Sequence, residues 1–282
     1  MPLEGVLSYY AIEPIFQARK KNYADAAISL DLGRTKMRVE IKTDHILLPD
    51  GAHLPWTLLQ SVMDNPQSCF EIQADGLVKI ETYSEYTGRY YTLFPTERAP
   101  TMLLSGIPMH RIKNIDPYAD TLAKIRAAQP AGFVLDTTTG LGYTAIQAAL
   151  KAKHVTTIEL DPAVLEICRR NPWSQELLGN PNITQLIGDS YEVIQTFQDG
   201  RFSCVIHDPP TFSLAGELYS YEFYKQVYRI LKPNGRIFHY IGDLQSPSGK
   251  RVLRGATQRL TKANFKRIVL HPEAFALLAY KH

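Results

Sequence analysis

Three acids, Asp136, Glu159 and Asp189, stand at the ends of successive apolar runs in "VLDTTTGLGYTAI", "TIELDP" and "LIGDSYEVI". Each run leads into a turn and then a helical stretch. Asp136 precedes a loop carrying Gly140 and Gly142, where the backbone can turn tightly and a ligand can approach without a Cβ in the way. An acid before that loop repels a pyrophosphate and accepts hydrogen bonds from an ammonium group. Glu159 lies 23 residues further on, where a carboxylate can accept both hydroxyls of a ribose. Asp189 suits the exocyclic amino group of an adenine, with Ser190 capping the helix behind it. Taken alone, Asp189 would be an ordinary helix cap.

The loop is not a dinucleotide fingerprint. Thr138 stands where a glycine is wanted, and Ala145 replaces the last glycine of G-x-G-x-x-G. No Gly-Lys-Ser/Thr follows, so it is not a P-loop either. An amine, a ribose and an adenine in that order describe S-adenosyl-L-methionine better than a nicotinamide dinucleotide. The expected cofactor-binding residues are therefore Asp136, Thr138, Gly140, Gly142, Glu159 and Asp189.

These residues need a scaffold. From residue 113 onward strands and helices alternate: "GFVLDT", "HVTTIEL", "NITQLIG", "FSCVIHD" and "GRIFHYIG" are apolar strands with helices around 142–151, 162–170, 190–198 and 219–231 between them. Such alternation predicts a parallel sheet covered on both faces, with ligands beyond its carboxyl edge. The tail "FKRIVLHPEAFALLAYK" predicts a hairpin with an antiparallel strand. Residues 1–112 read as β-rich, a small antiparallel sheet or barrel with one helix at "PWTLLQSVM". The expected class is α/β, with domains at 1–112 and 113–282.

Residues 131–282 resemble a class I S-adenosylmethionine-dependent methyltransferase. The resemblance rests on "VLDTTTGLGYTAI", "TIELDP", "GDSYEVI", "HDPPTF" and "LKPNGRIFHYIG". Over most of its length the chain is similar to a family of predicted archaeal and bacterial methyltransferases with no assigned substrate. This implies a Rossmann-like seven-stranded methyltransferase sheet, and "HDPPTF" resembles the (N/D)PP motif of enzymes that methylate amino groups on bases or protein amides. Transfer from a sulfonium needs an aligned nucleophile more than acid or base help. On that reading Asp208 and the Pro209 carbonyl accept the N–H bonds of a planar amine, and Pro210 stiffens the turn. Phe212 would stack on the acceptor, and His207 could take the proton or serve only structurally. No metal is expected, since no His, Cys or Asp cluster has ligand spacing.

The chain has 282 residues and a net charge of +3. No apolar run is long enough for a bilayer, and "MPLEGVLSYYAIEP" lacks a secretory signal. Cys69, Cys168 and Cys204 are far apart and fit a reducing cytosol, so a cytoplasmic location is expected. Between Asp243 and Glu273 there is no acid but seven Lys and Arg residues, concentrated at 250–267. Either this is a solvated face or it meets phosphate, with RNA as the first partner to consider and a small-molecule acceptor still open. Methyl transfer to a planar nitrogen is the leading expectation. Two rivals stand beside it: an aminopropyltransferase using decarboxylated S-adenosylmethionine, and a non-catalytic RNA-binding module. "DTTTGLG" and the two prolines of "HDPP" weigh against the first rival, and the intact acids weigh against the second.

Overall fold

The computed structural model describes residues 4–282. The chain divides into two compact units. One comprises the residues up to Tyr118 together with Ala163–Gln175; the other comprises Ala119–Pro162 and Glu176–His282. The sequence suggested a single boundary after residue 112. The structural division falls after Tyr118 and returns a short segment, 163–175, to the first unit. That segment is fastened by side chains: Trp173 Nε1 donates to the Leu32 carbonyl at 3.0 Å, and Arg170 Nε pairs with Glu71 at 3.0 Å.

The first unit holds three small antiparallel sheets, one three-stranded and two four-stranded. Its core is built from Leu7, Ile12, Ile15, Ile28, Val39, Ile46, Leu59 and neighbours, all buried. The expected helix at Trp56–Met63 is present. A second helix, Tyr9–Lys20, was not expected. Pro14 lies inside it and disguises a helical stretch, yet Ala11, Ile12, Ile15 and Ala18 recur at helical spacing and are buried.

The second unit carries the expected α/β sheet. Its strands are β1 (Phe133–Asp136), β2 (His154–Glu159), β3 (Ile183–Ile187), β4 (Phe202–His207), β5 (Leu231–Tyr240), β6 (Lys266–His271) and β7 (Ala276–Tyr280). They lie in the order β3-β2-β1-β4-β5-β7-β6. β1 to β5 are parallel, and β7 runs antiparallel to both β5 and β6. Leu135, Val205, Phe202, Ile237, Phe223, Val227 and Leu260 bury the sheet and its helices in one core. The chain leaves β1 towards β2 on one side and later returns to β4 on the other. The β1/β4 boundary is thus the switch point, where two loops diverge and leave a crevice.

Local sequence sets the ends of the elements. Ser220 caps the Tyr221–Ile230 helix through the Phe223 amide, and Ser246 caps Pro247–Lys262 through the Gly249 amide. Gly142 starts the Tyr143–Ala149 helix at φ +78°, a left-handed conformation that favours glycine. The helix expected at 190–198 is shorter, Ser190–Val193 followed by a 3₁₀ turn at Ile194–Thr196.

Candidate functional site

The carboxyl edge of β1 is a hydrogen-bonded junction. Asp136 is fully buried, and its Oδ2 accepts from Thr144 Oγ1 at 3.0 Å and Thr157 Oγ1 at 3.1 Å. Its Oδ1 has no hydrogen-bond partner among the described residues. Burial outweighs the two hydroxyls and pushes the carboxyl up to about 8. An unpartnered buried oxygen of this kind suits an incoming ammonium group, which would favour the ionised form.

Glu159, half-buried at the end of β2, is aimed by two amides. Gly140 N donates to Oε2 at 2.9 Å and Asp161 N donates to Oε1 at 3.1 Å. Burial raises this carboxyl to about 7, and the amides oppose the shift. A Cβ at Gly140 would meet nothing within 4 Å, so that side of the loop is open. Gly142 is different, because a Cβ there would stand 2.6 Å from Leu177 Cδ2. Of the two loop glycines, Gly142 is required by packing and Gly140 borders open space. Asp189 is exposed and accepts from the Tyr191 amide at 2.8 Å, so in the protein it is a helix cap.

Thr138, the departure from a glycine, has a structural reason. Its Oγ1 donates to the Asp208 carbonyl at 2.7 Å and so ties the β1 loop to the end of β4. Asp208 itself is not a free acceptor pair. Its Oδ2 lies 2.6 Å from Lys124 Nζ, and Lys124 lies 2.9 Å from Asp120 Oδ2 one helical turn earlier. Burial would depress the Lys124 ammonium, but the charges of Asp208 and Asp120 outweigh it and hold the group above its ordinary value. Burial raises the Asp208 carboxyl, while Lys124 opposes that shift. The sequence reading missed Lys124 and Asp120. The available signal was a charged i, i+4 pair within the small-residue helix "PYADTLAKIRAA".

Pro209 is buried, and the Pro210 carbonyl accepts from Tyr219 Oη at 2.9 Å. Phe212 is 52% exposed, and among the described residues its one ring contact is the edge of Tyr219, at 5.5 Å. It does not pack in a core and is available to a ligand. His207 requires a correction as a candidate substrate residue. It is fully buried, with Nδ1 2.7 Å from Thr137 Oγ1 and Nε2 2.9 Å from the Leu218 carbonyl. Burial pushes its imidazole well below the ordinary value, so it stays neutral and braces β4 against the 3₁₀ turn at Gly216–Tyr219. Of the basic stretch, Lys250, Arg251, Arg254, Lys262, Lys266 and Arg267 are exposed. Arg259 is half-buried, and its Nε donates to the Tyr219 carbonyl at 2.7 Å, so it supports the 210–220 loop.

Comparison with known proteins bears on this edge directly. The spermine/spermidine synthase domain model matches residues 141–275. The chain is 41% identical over 261 residues to the uncharacterized protein MJ1233 of Methanocaldococcus jannaschii, covering 90% of this chain and 88% of that protein. It is 27% identical over 181 residues to polyamine aminopropyltransferase 1 of Streptomyces coelicolor, covering 60% of this chain and 34% of that longer protein. A spermidine synthase solved in complex with the transition-state analogue AdoDATO superposes with a TM-score of 0.60 at 18% identity, over 72% of this chain and 73% of that one. That last likeness is one of fold.

These matches overturn the expectation of methyl transfer from S-adenosylmethionine, because the matched domain is that of the spermine and spermidine synthases. The expected cofactor falls with it. The two features that weighed against an aminopropyltransferase have local explanations. Thr138 is the tie to Asp208, and the Pro209-Pro210 turn presents the carbonyl that Tyr219 holds.

Proposed function

Because the chain belongs to the family of MJ1233 and carries a spermine/spermidine synthase domain, we propose that it is an aminopropyltransferase. It would take decarboxylated S-adenosylmethionine and a cationic amine acceptor. The observation that carries this reading is the charge of the edge. Asp136, Glu159, Asp189 and Asp208 stand at the carboxyl ends of β1 to β4, and Lys124, on the helix before β1, is held between Asp208 and Asp120 of its own helix. Such a site favours a ligand that keeps an ammonium and has lost its carboxylate, and an acceptor that is itself positive. A cofactor carboxylate would be brought towards like charge.

The decarboxylated cofactor supplies a propyl carbon activated by a sulfonium and a neutral thioether as leaving group. The residues of this chain hold and align. Asp136 receives the terminal ammonium on Oδ1, and Glu159 receives the ribose hydroxyls. Asp189 lies where the base would end. Asp208 accepts an N–H of the attacking amine and directs its lone pair, and Phe212 covers the acceptor from the solvent side. Alignment of this kind removes much of the entropic barrier to a two-substrate displacement. No described helix is long and apolar enough to cross a membrane, and the three buried cysteines, none in a disulfide, suit a reducing, cytoplasmic setting.

The test is a binding comparison by calorimetry. Decarboxylated S-adenosylmethionine should bind at least about tenfold more tightly than S-adenosylmethionine, one charge contact being worth about 1–3 kcal/mol. Equal or reversed preference would remove the basis of the proposal.

A further inference from the structure

Asp208 is held from two directions. Its backbone carbonyl is fixed by Thr138, and its Oδ2 by Lys124. Its other carboxylate oxygen, Oδ1, has no hydrogen-bond partner among the described residues. The side chain is 18% exposed, whereas Lys124 is 3% and Asp120 0% exposed. One oxygen is thus anchored inside and the other is left for the crevice. Lys124 also stands 4.4 Å from the centre of the Tyr240 ring, which closes off the remaining side of its ammonium.

We propose that Lys124 is a positioning residue for the transfer: by anchoring Asp208 Oδ2 it leaves Oδ1 as the single oxygen that orients the acceptor amine and takes its proton. This rests on the aminopropyltransferase reading. In the step, the neutral amine nitrogen forms a bond to the propyl carbon as the carbon–sulfur bond breaks. The bonding pair leaves on sulfur as a neutral thioether. The new ammonium then gives one proton to Asp208 Oδ1, which passes it to water.

For this role Asp208 must be ionised before the amine arrives. The groups around it are Lys124 and Asp120 on the preceding helix, Asp136 on β1, Tyr219 on the 3₁₀ turn and Tyr240 on β5. Lys124 is the cation among them. Removing it leaves Asp208 with its burial and with the like charge of Asp120, and both favour the protonated acid. Asp120 balances Lys124 in a buried site, and its own charge opposes the ionised form of Asp208.

The experiment compares Lys124→Met, Lys124→Arg and the charge-balanced pair Asp120→Asn with Lys124→Met. Two readouts are taken from the full chain: the acid limb of kcat against pH with a diamine acceptor, and the Asp208 carboxyl titration by carbon NMR. Lys124→Met should move the acid limb and the carboxyl titration upward together by about one pH unit or more. It should lower kcat at neutral pH at least about tenfold, with the KM for the decarboxylated cofactor changed less than about twofold. Lys124→Arg should restore most of the shift. The charge-balanced pair keeps the test open if the single variant does not fold, and should move the titration less than Lys124→Met. An unmoved titration in a folded variant overturns the role of Lys124. If the titration moves and the wild-type chain yields no thioether from any diamine, the aminopropyl reading is what fails.

Discussion

Thr138 Oγ1 lies 2.7 Å from the Asp208 carbonyl oxygen, joining the loop after β1 to the end of β4 across the switch point of the sheet. The residue that departs from the glycine-rich pattern is the one that ties the loop after β1 to Asp208. Thr138→Val removes the hydroxyl and keeps the shape. It should cost about 1 kcal/mol in stability and lower kcat/KM about tenfold, and Thr138→Ser should recover most of both. Thermal melts and steady-state kinetics on the three proteins decide this.

Asp136 should release a proton when the ammonium ligand binds. Its carboxyl is pushed up to about 8 by burial, and a cation on Oδ1 lowers it. Calorimetry at pH 7 in buffers of different ionisation enthalpy should therefore show release of up to about one proton. Asp136→Asn should abolish it and weaken binding.

The same residue sets a stability slope. Between its ordinary 3.8 and about 8 the folded protein holds a proton on Asp136 that the unfolded chain has lost. Stability contributed by this group is present at low pH and is lost as pH rises through that window. Denaturant melts from pH 5 to 8.5 should show a flatter dependence in Asp136→Asn than in the wild type.

The two loop glycines should differ. Gly142→Ala places a Cβ 2.6 Å from Leu177 Cδ2 at φ +78°, whereas Gly140→Ala, at φ +51°, meets open space. The first should cost about 2 kcal/mol or more and the second about 1 kcal/mol, the strain of a left-handed residue alone. Equal destabilisation in melts would mean that Leu177 moves aside freely.

Glu159→Gln should weaken binding of the product nucleoside, 5′-methylthioadenosine, about 10- to 100-fold, since a charged acceptor for two hydroxyls is lost. The melting temperature should fall as well, because glutamine keeps an acceptor for only one of the Gly140 and Asp161 amides and sets its NH2 group against the other.

Much of this was legible in the sequence. Period and apolar runs showed the strand series and put Asp136 and Glu159 at strand ends, because those signals are local. The Asp120–Lys124–Asp208 chain was not legible, because the two partners of Lys124 come from its own helix and from a strand 84 residues away. His207 was misjudged for a similar reason: the groups that occupy its nitrogens, Thr137 and Leu218, come from other elements. The reaction was misjudged because acids at strand ends suit the adenosyl part that both sulfonium donors share. They do not by themselves say which carbon on the sulfonium is transferred.

That question is settled most directly by following the label. Decarboxylated S-adenosylmethionine with carbon-13 in the aminopropyl group is incubated with a diamine and the chain, alongside methyl-labelled S-adenosylmethionine. The label should appear in a lengthened polyamine with equimolar 5′-methylthioadenosine, and none should pass from the methyl donor. Transfer of the methyl label to any acceptor, with no aminopropyl transfer, would contradict the proposed reaction.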